Sequence, residues 1–343
     1  YLWNISNSEL TTLYTAYLQG NGVELSLSDN VVLSSVIVHD PRIGLLINGS
    51  SNVVFSNVVI NDTWDKAILV NSSSNIQLLD VLIYNATGFG IYLNFSSNVY
   101  IDNAQLHDIG ADGIYVYSVE PLVLTNITVI DPGTMGLYIA VDASVSINKV
   151  TVIGGTYGIR VAASNLVNIT DFLIQRTAFY GIDIYGSTNV LIENGVVSDT
   201  STGIQVYQSN AKIRNVNVTD ATTIGINYMS SSGYIDPVVI TNSYNGIEIF
   251  HSSDVVLDNI TVYNISNIAF AVSGSHDIIL YGITIYDSRI GARIVDSYDV
   301  NGMYITIFNI TGTPIVTVNV HDVLLNVTYP GLLKYFLDML FYG

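Results

Sequence analysis

Arg160, Asp183, Gln205, Asn227 and Glu248 follow one another at intervals of 21 to 23 residues, each one place after an isoleucine. A guanidinium, two carboxylates and two amides drawn into one row can hold a polyhydroxyl ligand. If the carboxylates converge, they can also supply an acid and a base for cleaving a glycosidic bond. A second recurring place holds Asn30, Asn52, Asn75 and Asn98 early in the chain and Asp254, Asp277, Asp299 and Asp322 late in it. Carboxylates stacked about 5 Å apart repel by roughly 0.8 kcal/mol per pair in water. Ca2+ would offset that repulsion through oxygen coordination; Asx-turn hydrogen bonds with full solvation would do so as well. His276 and His321 stand beside this column and read as solvated turn residues.

A third chemistry is covalent. Thirteen Asn-x-Ser/Thr sequons occur, at Asn4, Asn48, Asn61, Asn71, Asn85, Asn94, Asn126, Asn168, Asn217, Asn259, Asn264, Asn309 and Asn326. Such acceptors take N-glycans in exported chains, so their number favours an extracellular or cell-surface location. The chain begins at Tyr1 without Met and reads as a processed product or an excised piece.

Composition narrows the partners. Ten Lys+Arg stand against 28 Asp+Glu, a formal net charge of -18, which argues against a nucleic acid, since phosphate binding runs on clustered cations. Charged residues are only 11% of the chain and apolar residues 49%, so part of the surface is apolar or uncharged. No apolar run reaches the length of a membrane span. Without cysteine there are no disulfides and no thiolate metal sites.

The elements that must position these groups come from a repeat. GIYL at 90, GIYV at 113, GLYI at 136, GIRV at 158, GIDI at 181, GIQV at 203, GINY at 225 and GIEI at 246 are copies of one segment. Weaker copies extend it in both directions, from GVEL at 22 to PIVT at 314. A period near 22 residues marks a solenoid. Each copy holds three short segments of alternating polarity, such as GIEI, DVVL and NITV, separated by polar turn residues, which is one coil of three strands. The expectation is an all-β, right-handed parallel β-helix of about 14 coils of 21 to 23 residues, with a short C-terminal helix. Residues 1–20 are expected as a cap, a partial coil or a subunit contact, 21–329 as the β-helix, and 330–343 as an amphipathic capping or docking segment.

Inward columns then become readable, Ile68, Ile91, Ile114 and Leu137 in one and Val70, Leu93, Val116 and Ile139 in the next. A structural Asx ladder is expected at the turns, through Asn57, Asp80, Asn103, Asn126, Asn148, Asp171, Asn194, Asn215, Asp236 and Asn259.

The G-I-x-V/I, S-x-N-V-x-I/L and x-N-V-x-V rhythm over about residues 20 to 328 resembles the pectin-lyase-like β-helix superfamily. It is similar in particular to NosD-type and carbohydrate-binding/sugar-hydrolase repeats of archaeal exported surface proteins. That resemblance implies the fold and leaves function open, because the superfamily holds lyases, hydrolases, epimerases, adhesins, tailspikes and inert surface proteins. Its polygalacturonase-like members carry Asn-Thr-Asp, Asp-Asp, Gly-His-Gly and Arg-x-Lys motifs. This chain has no Asp-Asp pair, and none of its five histidines adjoins a glycine.

In such a fold Asp183 and Glu248 stand three coils apart, roughly 14 Å, beyond the ~5 to 9.5 Å of paired glycosidase carboxylates. Arg160 and Asp183 become vertical neighbours suited to an ion pair. Outward rows of Tyr92, Tyr115 and Tyr138, and of Tyr117, Tyr185, Tyr207 and Phe250, give apolar strips of the kind that meet partners. The C-terminal Leu332, Leu333, Phe336, Leu337, Leu340 and Phe341 recur at helical intervals behind Pro330 and Gly331, for capping the last coil or docking onto another subunit. The leading expectation is a non-catalytic surface or filament-forming glycoprotein that self-associates. The alternative is a polysaccharide-binding or polysaccharide-cleaving β-helix using Arg160, Asp183 and Glu248, with Gln205, Asn227 and the flanking Tyr185 and Tyr207.

Overall fold

The computed structural model describes residues 2–3, 6–16 and 19–329. They form a parallel β-solenoid of about 14 turns, with no helix among them. The helix expected near the C-terminus falls at 330–343, outside the described residues. The chain divides into two compact units, Tyr1–Ala178 with Gly186–Val190 and Phe179–Tyr185 with Leu191–Gly343.

One coil of the second unit illustrates the plan. Asn245–Phe250 lies on a first face, Ser253–Asp258 on a second, and Ile260–Ser273 opens on a third before running into the next first face. Each strand pairs in parallel with its counterpart one coil away, as Ile226↔Ile247 and Val255↔Ile278. The first unit repeats the plan, with Ile68↔Ile91 and Ile91↔Ile114 in register. Within the segment 1–20, Ser6–Ala16 pairs in parallel with Asp29–His39.

Period-2 alternation sends every second side chain inward. Leu45, Ile68, Ile91, Ile114, Leu137 and Ile159 stack as one fully buried column of the first unit, and Ile182, Ile204, Ile226 and Ile247 as one of the second. Among the described residues a single phenol enters this aliphatic interior. Tyr228 is fully buried and donates its hydroxyl to the Ala211 carbonyl at 2.9 Å, while burial raises its pKa. Room for its ring comes from the second face, where the small residues Ala211 and Gly233 are register partners of each other.

The glycine that opens most copies answers to crowding between coils. A Cβ on Gly113 would lie 2.6 Å from the Gly136 carbonyl oxygen, and one on Gly225 2.8 Å from that of Gly246. Real Cβ atoms do not approach that closely, so a side chain at either position would push the next coil's backbone aside.

Left-handed residues recur in columns at the corners. Asn57, Asp80, Asn103, Asn126 and Asp171 in the first unit and Asn194, Asn215 and Asn259 in the second have positive φ, which Asx residues tolerate. The expected ladder is off by one residue at two places. Asn148 pairs with Thr125, so Lys149 takes the left-handed position. Likewise Ile213↔Ile235 and Val216↔Val238 place Pro237, not Asp236, opposite Asn215. A further column follows the third face, with Asp62, Asn85, Asp108 and Asp131 in one unit and Asp199, Asp220, Asn242 and Asn264 in the other.

Between the first and second faces runs a buried serine column. Ser28 N–H donates to Ser50 Oγ, Ser50 N–H to Ser73 Oγ and Ser73 N–H to Ser96 Oγ at 3.1–3.2 Å. Ser209, Ser231, Ser252, Ser275 and Ser297 repeat the chain of bonds in the second unit. Ser73, Ser96, Ser231 and Ser252 also donate to the carbonyl two residues back, so each satisfies donor and acceptor inside the corner. In the first unit Val119 and Asp142 replace serines. The buried Asp142 carboxylate accepts the Val119 N–H. Burial, partly offset by the backbone groups of Val119 and Ala140, pushes its pKa up to about 7.

Candidate functional site

The polar row divides between the units. Arg160 belongs to the first, where its guanidinium lies 5.2 Å from the centre of the Tyr157 ring. Asp183, Gln205, Asn227 and Glu248 belong to the second, in the order set by Asp183↔Gln205 and Asn227↔Glu248. Each follows an inward isoleucine and so lies on the outer side of the first face. They are nevertheless sheltered: Asp183 is 5% exposed, Gln205 7% and Asn227 6%. Asn227 Nδ2 donates to Gln205 Oε1 at 2.9 Å, while the buried Asn227 Oδ1 has no hydrogen-bond partner. Leaving such an acceptor dry costs about 1–3 kcal/mol.

Glu248 is the second carboxylate of the row. Burial raises its pKa, against the opposing pull of a hydrogen bond from Asn245 and the charge of Arg293. Asn245 Nδ2 donates to Glu248 Oε1 at 2.6 Å, Asn267 Nδ2 to Asn245 Oδ1 at 2.9 Å, and Arg289 reaches Asn267 Oδ1 through Nη2 at 2.7 Å. Asn245, Asn267, Arg289 and Arg293 are additions to the row that the sequence reading missed. The first three lie at or near the corner entering the first face, where loop lengths vary and repeat alignment is weakest. Asp183 and Glu248 are separated by three strand spacings, about 14 Å, so the row does not bring them together as an acid–base pair.

Asp254, Asp277 and Asp299 line a shallow groove of about 340 Å3 floored by Val256, Ile279 and Asn301. Asp322 continues the column, since Tyr298 pairs with His321. All four aspartates have left-handed backbone, with φ of 50–54°. The column is therefore a corner motif in its own right. Asp277 Oδ2 is 2.8 Å from His276 Nδ1, and the His276 ring stacks on Tyr298 at 4.8 Å, so this histidine is engaged rather than merely solvated. Among the described residues no three His, Asp or Glu side chains are grouped to hold a metal ion.

The aromatic rows form stacks. Tyr92 lies on Tyr115 at 4.6 Å with planes 6° apart, Tyr115 meets Tyr138 at 5.1 Å, and Phe89 packs edge-on against the first two. Lys66 Nζ sits 5.5 Å from the Tyr92 ring centre. A pyranose stacks on an open ring face, and here neighbouring rings occupy the faces, leaving edges and hydroxyls outward. Tyr117 meets the exposed Phe95 edge-on at 5.5 Å. In the second unit Tyr185 and Tyr207 lie 5.4 Å apart, and Phe250 packs on His251 at 3.9 Å; Tyr185 and Phe250 are exposed.

The sequons differ in setting. Asn48, Asn71 and Asn94 form a half-buried amide ladder on the first face, Asn71 Nδ2 donating to Asn48 Oδ1 at 2.8 Å and Asn94 Nδ2 to Asn71 Oδ1 at 3.3 Å. Asn61 is also half-buried, and Asn85, Asn126, Asn168, Asn217, Asn259, Asn264, Asn309 and Asn326 are exposed. Asn4 and the candidate contact residues Leu333, Phe336, Leu337 and Phe341 lie outside the described residues. Among the described residues no helix is long and apolar enough to cross a membrane.

Solved structures with a similar course include the mannuronan C-5 epimerase AlgE4 A-module of Azotobacter vinelandii, at 12% identity over 89% of this chain and 88% of that one, with a TM-score of 0.43. The Dettilon tailspike protein matches at 12% identity over 82% of this chain and 62% of its own, TM-score 0.49. The Streptococcus pneumoniae surface adhesin PfbA matches at 11% over 90% and 82%, TM-score 0.39. Likenesses this distant carry no argument about activity. No curated protein sequence matches the chain. The model of the right-handed beta helix region matches residues 1–152, 89–238 and 202–327, and the chain is a member of that family.

Proposed function

We propose that this protein is a non-catalytic extracellular structural protein of a cell surface or filament, N-glycosylated and self-associating. The observation that carries this reading is the way the outward rows spend their side chains on one another. Tyrosines stack on tyrosines, asparagine amides bond asparagine amides, and the two carboxylates of the polar row stand about 14 Å apart. Eight exposed sequons supply acceptors for glycans, and exposed Tyr185, Phe250 and Phe95 supply apolar contact. Electron microscopy of native material, with mass spectrometry of the sequons, tests the proposal. Ordered assemblies bearing hexose on asparagine are expected; monodisperse monomers with bare asparagines overturn it.

A second reading, polysaccharide binding on the first face of the second unit, draws on the unpartnered Asn227 Oδ1 beside the sheltered Glu248. A sugar hydroxyl would supply the missing hydrogen bond once the side chains that cover this buried oxygen move aside. Glycan-array binding that disappears in Asn227→Leu would favour this reading, and no binding to any polysaccharide would remove it.

A further inference from the structure

A sequon presents two groups to a glycan transferase, the asparagine amide and the hydroxyl two residues on. The fold gives those groups two different settings. In the sequons of Asn48, Asn71 and Asn94 the hydroxyl belongs to the buried serine column. Ser50, Ser73 and Ser96 are 2–6% exposed, and each donates to the carbonyl of its own sequon asparagine at 2.8–3.1 Å. Asn61 shares this setting, because Thr63 is fully buried. All four asparagines are themselves half-buried.

The opposite setting recurs at the two borders of the third face. In the sequons of Asn85 and Asn126 in the first unit, and of Asn259 and Asn264 in the second, only the middle residue turns inward. Ala86, Ile127, Ile260 and Ile265 are 1–2% exposed. The asparagine and the hydroxyl residue on either side of each therefore face out, and all four asparagines are exposed with left-handed backbone. Asn259 and Asn264 flank the third-face segment 260–263 of a single coil, one at each end. Their amides are already aimed. Asn85 Nδ2 donates to Asp62 Oδ1 at 3.0 Å, Asn126 Nδ2 to Asp102 Oδ1 at 2.9 Å, Asn259 Nδ2 to Asp236 Oδ1 at 3.2 Å and Asn264 Nδ2 to Asn242 Oδ1 at 2.6 Å. An amide nitrogen carries two hydrogens, so one keeps this bond while the other is replaced by sugar.

We propose that glycans are transferred to the folded chain at the borders of the third face, on Asn85, Asn126, Asn259 and Asn264, and that Asn48, Asn61, Asn71 and Asn94 are passed over. The donor is a lipid-phosphate-linked saccharide. Nδ2 bonds to its anomeric carbon as the bond from that carbon to the phosphate oxygen breaks, the phosphate leaves with the lipid, and Nδ2 gives up one proton. Resting on the glycoprotein reading above, the assignment goes further by naming the side that carries sugar. The third face becomes the sugar-bearing side of each unit. The first face keeps its exposed aromatic side chains, Phe95 in the first unit and Tyr185 and Phe250 in the second, clear of sugar for contact between copies.

Mass spectrometry of the native protein, peptide by peptide, is the test. Glycan mass is expected on the border asparagines, with unmodified peptides for Asn48, Asn61, Asn71 and Asn94. Sugar on any of the latter four, or sugar at other sequons with none at the borders, overturns the assignment and leaves the glycoprotein reading standing. Thirteen bare asparagines overturn both. A gain of sugar gives a second measurement. Asn57 is exposed and left-handed at one of these borders, with Val58 fully buried and Val59 half-buried on the third face. Val59→Thr, made in the full-length chain in the producing organism, completes an acceptor motif there. One further glycan at Asn57 is expected, and a bare Asn57 in protein whose other sequons carry sugar would overturn the proposal.

Discussion

The first faces of the two units share an inward plan and differ in what they turn outward. In the first unit the outer row is a stack of tyrosines beside an asparagine ladder, each side chain using its neighbour. In the second unit the equivalent row is Asp183, Gln205, Asn227 and Glu248, sheltered, with one amide oxygen unbonded and one carboxyl raised in pKa. A coil constrains only half of its residues, the half that faces inward. The other half is free to close on itself or to keep hydrogen-bonding capacity in reserve, and the second unit is where this molecule keeps it.

Five substitutions break or sharpen that contrast, beginning with the largest effect. Gly113→Val in the first unit and Gly225→Val in the second strike the shared inward plan, since a Cβ at either place collides with the backbone of the next coil. Each is expected to cost about 3 kcal/mol or more, with comparable losses in thermal unfolding; a benign change at either would refute the crowding argument.

Asp142→Ser is next and belongs to the first unit alone. Because the folded pKa of Asp142 is raised to about 7 from 3.8, the folded chain holds a proton between those values that the unfolded chain releases. Stability therefore falls as pH rises through that window and levels off above it. Restoring serine is expected to stabilise by about 1–3 kcal/mol at pH 8 and by little at pH 4. Denaturant titrations across pH check this, with a residual slope of the same sign from Asp112 and Glu248, whose pKa values burial also raises.

Tyr228→Phe probes the second unit. It leaves the ring in place and strips the Ala211 carbonyl of its donor, for an expected loss of about 1–2 kcal/mol by chemical denaturation. Smallest is Asn71→Ala, which cuts two links of the amide ladder. On a half-solvated face it is expected to cost roughly 0.5–1 kcal/mol. A loss as large as that of Tyr228→Phe would mean that the outer row contributes more than the contrast allows.

Legibility in the sequence followed the same division. The inward columns were readable because alternation and a 22-residue period are both written in aliphatic residues. The glycine column was readable as a landmark, although its cause, contact with the next coil, is a tertiary fact. The Asx ladder was misplaced at Asn148 and Asp236 because Lys149 and Pro237 fill the ladder position there while an Asx stands one residue earlier, and only strand register separates the two. The serine ladder escaped notice since serine at a corner reads as a solvated turn residue, and nothing local reveals that it is buried. Asp183, Gln205 and Asn227 form the row that the spacing gives, but the expectation for it was an ion pair to Arg160 or a hold on a polysaccharide, not burial. Their shelter, and the Asn245–Asn267–Arg289 relay beside Glu248, arise from residues that come together only when coils stack.

The serine column also bears on how the molecule would be cut. In most β proteins a corner between strands opens first, and a protease needs unpaired, extended chain to engage. Here the corner N–H of most ladder serines is held by the next serine, and the hydroxyls of many of them are tied to the backbone carbonyl two residues back. Digestion is therefore expected to start at Val119, whose side chain offers the column no oxygen, or at the outermost described coils, and to spare the corners in between.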